Sequence, residues 1–459
     1  MTSDNLLLFN GVNAATGGYL SSPMSVLEIE DLVRKVLLGK DKELVFGFDP
    51  DKLDTAGWGI VTAAADPGRD AILKALQPLV SRREDEAGGL FKQLVYRQGE
   101  TKREFLARHG AAAGPSDPRE VPWYLLLAGD PEHIPFELQY QLDVSYSVGR
   151  LHFATTAGYC AYADSVVAAE TSNLRRPRTA TFFAVEHADD RATELSTQYL
   201  VTPLVKRIRD SFPTWGVATT SGAAATRTEL GRYLGGADTP ALLFTSSHGV
   251  GFPAKHPLQA DHQGALLCAD WPGPRAWTKP VPPEFYFHAG DLGTTAKLHG
   301  MVTFHFACYG AGTPRFDAFS HRKPGPPEQI APKPIVSALP KALLSHAHGG
   351  ALAVIGHVER AWACSYLWGG VGSQTEVFQD ALSRLLAGQR VGMALSPLNR
   401  RYAELSTELS HELFEHMNNG PVPAEVLAGL WTANNDARSY VLLGDPAVRL
   451  AVEPEEVHS

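Results

Sequence analysis

Short apolar runs alternate with stretches whose apolar positions recur every three or four residues, the signature of strands alternating with crossover helices in a mostly parallel sheet. SVLEIEDLVRKVLLG (25–39) predicts a helix, with Ser25 and Glu28 as a capping box, an Ile29/Leu32/Val33/Val36/Leu37 stripe and Gly39 as its stop. A strand is expected at WGIVTAA (58–64), then a helix from about Asp66 through the charged SRREDE. PWYLLLAG (122–129) is apolar on both faces and reads as a central strand. A helix at 155–170 leads to the basic LRRPR (174–178), which reads as a seam. A second series follows. It has strands at TATFFAV (179–185), 217–219, ALLFTSS (241–247), MVTFHFA (301–307), GALAVIG (350–356) and SYVLLGD (439–445). Helices are expected at 189–209, after a Thr226/Glu229 cap, at 336–347 and over most of 374–417.

Two stretches break this rhythm. Residues 270–283 hold five prolines and 314–334 hold six, too many for helix or central strand, so both are expected to be long surface loops. At 459 residues the chain is long enough for two domains or one elaborated one. We expect a smaller N-terminal α/β subdomain over residues 1–170 and a larger one over 171–459. A formal net charge of −9 gives no basic excess to track a phosphate backbone, which argues against nucleic acid as a partner. The N-terminus lacks a basic leader, and no run of ~18 apolar residues occurs, so neither export nor a membrane span is expected. With four cysteines and no leader, reduced thiols in a cytoplasm are expected, and no Cys/His spacing suggests zinc.

Chemistry concentrates at two strand ends, SSHGVG (246–251) and ACYGAG (307–312). In an open parallel sheet, ligands meet the protein at the carboxyl ends of strands. If these two strands are neighbours, His248 and Cys308 enter one crevice. An imidazole raises the reactive fraction of a thiol and can protonate a leaving amine. Gly249 can turn its amide toward a developing oxyanion, with the amide of Cys308 as second donor. Four histidines precede a glycine, but only His248 closes a long apolar strand. Cys364 is the competing thiol, eight residues past its strand. The residues alone leave two readings open: a catalytic dyad, or a small core thiol and a satisfied histidine.

The order His-Gly, then Ala-Cys-x-Gly after the next strand, resembles the caspase-like cysteine peptidases of clan CD. YLLLAGDPEHIPF (124–136), LDVSYSVGRLHFATTAGYCAYADSVVAAE (142–170) and SYVLLGDPAVRL (439–450) are similar to segments of the gingipain-type family within it. The first 120 residues carry no such motif. The sixty positions from His248 to Cys308 exceed the gingipain spacing, and the segment between Asp143 and Gly149 looks shortened. An intracellular prokaryotic caspase-like or CHAT-type protease is therefore the nearer analogue, with a role in stress or defence.

The resemblance implies a caspase-like α/β fold, His248 as general acid/base, Cys308 as nucleophile, Gly249 and Cys308 as oxyanion donors, and no cofactor or metal for the chemistry. It also implies a protein or peptide substrate. Asp143 is read as lying after a strand, where gingipain-like enzymes place an acidic pocket residue, so a basic P1 is expected; equally, Asp143 caps a turn. Asp291 and Glu284 are weaker pocket candidates. A third catalytic residue is not evident, although Glu186 and Asp143 are eligible acids. Loop 313–334 falls where activating cuts occur in caspase-like enzymes, which makes an upstream protease a candidate partner; the plain alternative is a solvated connector. The rival to a peptidase is a catalytically silent caspase-like scaffold.

Overall fold

The computed structural model describes residues 6–7, 24–25, 44–45, 47–187, 189–319, 325–368 and 371–455. The helix expected at 25–39 lies outside these, apart from Ser25. Ten strands form one sheet: β1 (Trp58–Ala63), β2 (Phe91–Tyr96), β3 (Tyr124–Ala128), β4 (Ser147–Leu151), β5 (Thr179–Ala184), β6 (Gly216–Ser221), β7 (Leu242–Ser246), β8 (Val302–Phe306), β9 (Ala353–His357) and β10 (Tyr440–Gly444). Their spatial order is β2-β1-β3-β4-β10-β9-β8-β7-β5-β6. β1, β3, β4 and β7–β10 are buried at every position, which is why all of these but β4, with its buried Arg150, read as mainly apolar runs.

Every neighbouring pair is parallel except β9 and β10, which run antiparallel with Ile355 opposite Leu442. The sheet is thus two parallel halves of opposite direction. The carboxyl ends of β5, β7, β8 and β9 therefore share an edge with the amino ends of β10 and β4. Gly149 lets β4 and β10 approach: a Cβ there would lie 2.0 Å from the Gly444 carbonyl oxygen.

Helices cover the faces. The helix expected after Asp66 is broken at Leu76 into α1 (Arg69–Ala75) and α2 (Gln77–Ala87), because Pro78 cannot continue the hydrogen-bond ladder and instead sits in the first turn of α2. α3 (Phe136–Leu142) precedes β4, and α4 (Thr156–Thr171) follows it. α5 (Arg191–Ser196) follows β5. α6 (Glu376–Leu386), α7 (Ser396–Asn418) and α8 (Ala424–Arg438) lie between β9 and β10.

Arg83, on α2, is fully buried. Arg83 donates to Asp445 at 2.7 Å and to Glu170 and Glu86, each at 2.6 Å, and Asp445 also accepts from Trp58 Nε1 at 2.9 Å. The Leu-Gly-Asp-Pro turn after β10 is thereby tied to α2 and α4. Among the described residues no helix is long and apolar enough to cross a membrane.

Candidate active site

β7 and β8 are parallel neighbours, with Ser246 paired to Phe306, so His248 and Cys308 each stand two residues beyond matched strand ends. Their loops touch. A Cβ on Gly249 would lie 1.7 Å from the Cys308 carbonyl oxygen and 3.0 Å from its amide nitrogen, so only glycine fits there. Among the described residues, neither the Gly249 N–H nor the Cys308 N–H meets an acceptor, while Ser247, Val250 and Tyr309 all donate to carbonyls. Two free amides thus flank the thiol.

The loop after β5 supplies a third group. Asp190 Oδ2 lies 2.6 Å from His248 Nε2. Asp190 also N-caps α5 by accepting from Ala192 N–H at 3.2 Å, and it accepts from the Thr193 hydroxyl at 3.1 Å, so its carboxylate is fixed in direction. Burial alone would raise the Asp190 carboxyl, but the bond and charge of His248 outweigh it and hold it below the ordinary carboxylate range. With the Nε2 proton donated to Asp190, Nδ1 carries the imidazole lone pair. Trp271, from the insertion between β7 and β8, meets the rings of His248 and His187 edge-on at 6.4 and 5.1 Å. Neither Glu186 nor Asp143 takes the place of Asp190. The sequence cue for Asp190 was slight: an acidic N-cap six residues past β5, useful only once β5 is known to flank β7.

Cys308 is at rest. Its half-buried Sγ lies 3.8 Å from the Ala361 carbonyl, and no hydrogen bond among the described residues joins it to His248. Burial pushes the thiol up, with Ala361 O and Arg360 offsetting only part of that push. The next residue, Tyr309, has φ 58° and donates to the Glu359 carbonyl at 2.5 Å; Glu359 itself has φ 74°. Two left-handed non-glycine residues bonded to each other store strain of about 1–3 kcal/mol each beside the thiol. Arg360 then bridges Glu359, at 3.0 Å, and Asp317, with its guanidinium 5.1 Å from the Phe319 ring and 6.0 Å from that of Trp362. Glu359 also accepts from Ala318 N–H at 2.9 Å, so the start of the 313–334 loop is fastened beside the thiol. The base of that loop is closed by Gly312–Thr313 pairing with Ile335–Val336.

Asp143 does not follow a strand. It ends α3 and precedes β4, because Phe136–Leu142 winds as a helix after Pro135. Its carboxylate accepts from Val148 N–H at 3.2 Å, which is a turn-capping contact, and Lys102 lies within its field. The antiparallel junction nonetheless puts the amino end of β4 on the same edge as Cys308, three strand spacings or about 14 Å away. Asp291 is engaged by Arg227. Cys364 sits in a short helical turn at 363–365, and Cys268 is buried in the insertion.

No protein-family model matches the chain, and no curated protein matches its sequence. Solved structures similar to it include one described as "Structure of Protease", at 12% identity and TM-score 0.48, covering 88% of this chain and 81% of that one. The complex of the pro- and mature domains of Porphyromonas gingivalis RgpB matches at 12% identity and TM-score 0.48, covering 86% of this chain and 80% of that one. The Saccharomyces cerevisiae separase–securin complex matches at 8% identity and TM-score 0.34, covering 71% of this chain and 16% of that one.

Proposed function

We propose that the chain is a cysteine endopeptidase. The observation that carries this reading is the meeting of three adjacent strand ends: the Asp190–His248 pair at 2.6 Å, and Gly249 packed on the backbone of Cys308. In the working form, Nδ1 of His248 takes the thiol proton and the thiolate attacks the scissile carbonyl. The Gly249 and Cys308 amides receive the oxyanion. Collapse expels the amine, which leaves with the proton from His248, and forms a thioester. Water, deprotonated by His248, then releases the acid and restores the thiol. Asp190 holds the imidazole in its tautomer and answers its charge.

The resting thiol must swing from Ala361 toward His248 before any of this occurs. The Arg360 bridge fastens the start of loop 313–334 next to it, which supports a latent chain released by a cut in that loop, at positions that include residues outside the described ones. The edge shared with Asp143 supports preference for arginine or lysine at P1.

One assay tests the substrate side and the activation together. Fluorogenic peptides ending in arginine, aspartate or leucine are offered to the purified chain, and the protein is weighed intact by mass spectrometry as activity appears. Arginine is expected to be cut at least ~100-fold faster than the other two, with activity rising as the intact mass disappears. Preference for aspartate would reject the pocket, and full activity in uncut chains would reject the activation step.

Gly249→Ala carries a separate expectation. A methyl group 1.7 Å from the Cys308 oxygen must spread the two loops, which removes at least one oxyanion donor. The expected loss in kcat is ~10²–10³-fold, accompanied by a lower melting temperature because the obstacle is backbone, so kcat is compared at a temperature where the variant is fully folded. Unchanged kcat would remove Gly249 from the chemistry.

A further inference from the structure

The helical hairpin of α7 and α8 is larger than its packing requires. α7 buries only Ser396, Pro397, Leu398 and Leu405, and α8 buries nothing before Thr432, so residues 406–431 form an arm with no buried side chain. The arm is held by its own seam, where Leu409, Leu413, Leu427 and Leu430 are half-buried. Its base is secured: Asn435 donates to the Ala318 carbonyl at 2.6 Å, and Asp436 accepts from Trp362 N–H at 2.9 Å and from the Ser365 hydroxyl at 2.6 Å. The arm thus projects from the loops that surround Cys308.

Seven large apolar side chains are exposed on the described chain, and four of them stand on this arm: Phe414 at 58%, Met417 at 80%, Val426 at 41% and Trp431 at 40%. Phe414 and Met417, three residues apart, share a helix face at the tip, with Val426 at the start of the returning helix. Such concentration marks a surface that meets something. The charge says what. Residues 402–437 contain no lysine or arginine, while Glu408, Glu412, Glu415 and Glu425 lie along the arm and Glu404 just before it. Glutamates at 404, 408 and 412 repel one another at four-residue spacing. A second copy would bring the same carboxylates to the contact. Phosphate backbones and anionic lipid surfaces are repelled.

We infer that the tip of this arm docks a polypeptide segment bearing lysines or arginines around an apolar anchor. The contact is independent of the peptidase reading and is read by binding alone. The probe is a fluorescein-labelled amphipathic helix of lysine and leucine, compared with its glutamate–leucine counterpart, titrated with the full chain carrying Cys308→Ala throughout, so that the proposed peptidase cannot cut it, and followed by anisotropy. Three variants are compared with the parent: Phe414→Ser/Met417→Ser, Glu412→Lys/Glu415→Lys/Glu425→Lys, and, on the other half of the sheet, the exposed set Asp54→Lys/Glu84→Lys/Asp85→Lys. The parent and the last set are expected to bind the lysine peptide alike, and both arm variants at least ~10-fold more weakly. All altered side chains at the tip are exposed or half-exposed, and circular dichroism checks that the variants stay helical. Equal binding by the arm variants and the parent overturns the inference, as does equal weakening in the third set.

Discussion

A Cys308→Ala chain is expected to leave a denatured protein mixture uncut, whereas the parent generates new N-termini that share a P1 residue. The loss is expected to be at least ~10⁴-fold, because the variant lacks the atom that forms the acyl bond. His248→Ala should lose about as much, and the double variant no more than either alone, since two groups acting as one unit do not add. Asp190→Asn keeps the shape but offers Nε2 no anion, and is expected to cost ~10²-fold or more. Labelling separates this from a silent scaffold: a peptidyl chloromethyl ketone should modify Cys308 only where His248 is present. Undiminished cleavage by Cys308→Ala, read from the same new N-termini, would end the peptidase proposal. Labelling indifferent to His248 would leave the thiol an ordinary one.

The second large effect concerns stability. Arg83→Met removes the cation that faces Asp445, itself fully buried, and Glu170. Breaking one side of a buried ion pair costs about 3–5 kcal/mol, to be read as a fall in the urea midpoint with unchanged slope. Acid should shrink the difference. Burial works to raise Glu170, but Arg83 and then Arg82 outweigh it and hold its carboxyl below the ordinary range. A depressed carboxyl stabilises the parent above the unfolded pKa of about 4.3, and that contribution is lost as pH falls through the folded value. In the variant much of the opposing charge is gone, so protonation relieves a buried anion. The gap between parent and variant should therefore narrow below about pH 4. A gap independent of pH would show that Arg83 acts through packing alone.

Much of the fold could be read from the chain because its central strands are buried on both faces. YLLLA, FFA, LLFTS, VTFHF and AVIG stand out as apolar runs, and the residues that follow two of them, His248 and Cys308, stand on neighbouring loops as their strand ends suggested. β2, FKQLVY, has only two buried positions, and β4, SVGRL, carries a fully buried Arg150, so neither announced itself. Strand order and direction are not local properties. Asp190 could be matched to His248 only through the β5–β7 pairing, and the antiparallel junction that brings Asp143 to the Cys308 edge leaves no trace in composition. Gly249 was legible as a glycine after a strand; that it rests on the Cys308 carbonyl was not.

The junction between β9 and β10 has a consequence for synthesis. The half of the sheet built from residues 58–151 meets the half that holds the thiol only through β10, at residues 440–444. A ribosome elongating at ~5–20 residues per second thus releases both halves well before the strand that joins them. Until Tyr440–Gly444 leaves the exit tunnel, two sheet edges stand open, and a nascent chain carries Asp190, His248 and Cys308 on an unfinished frame.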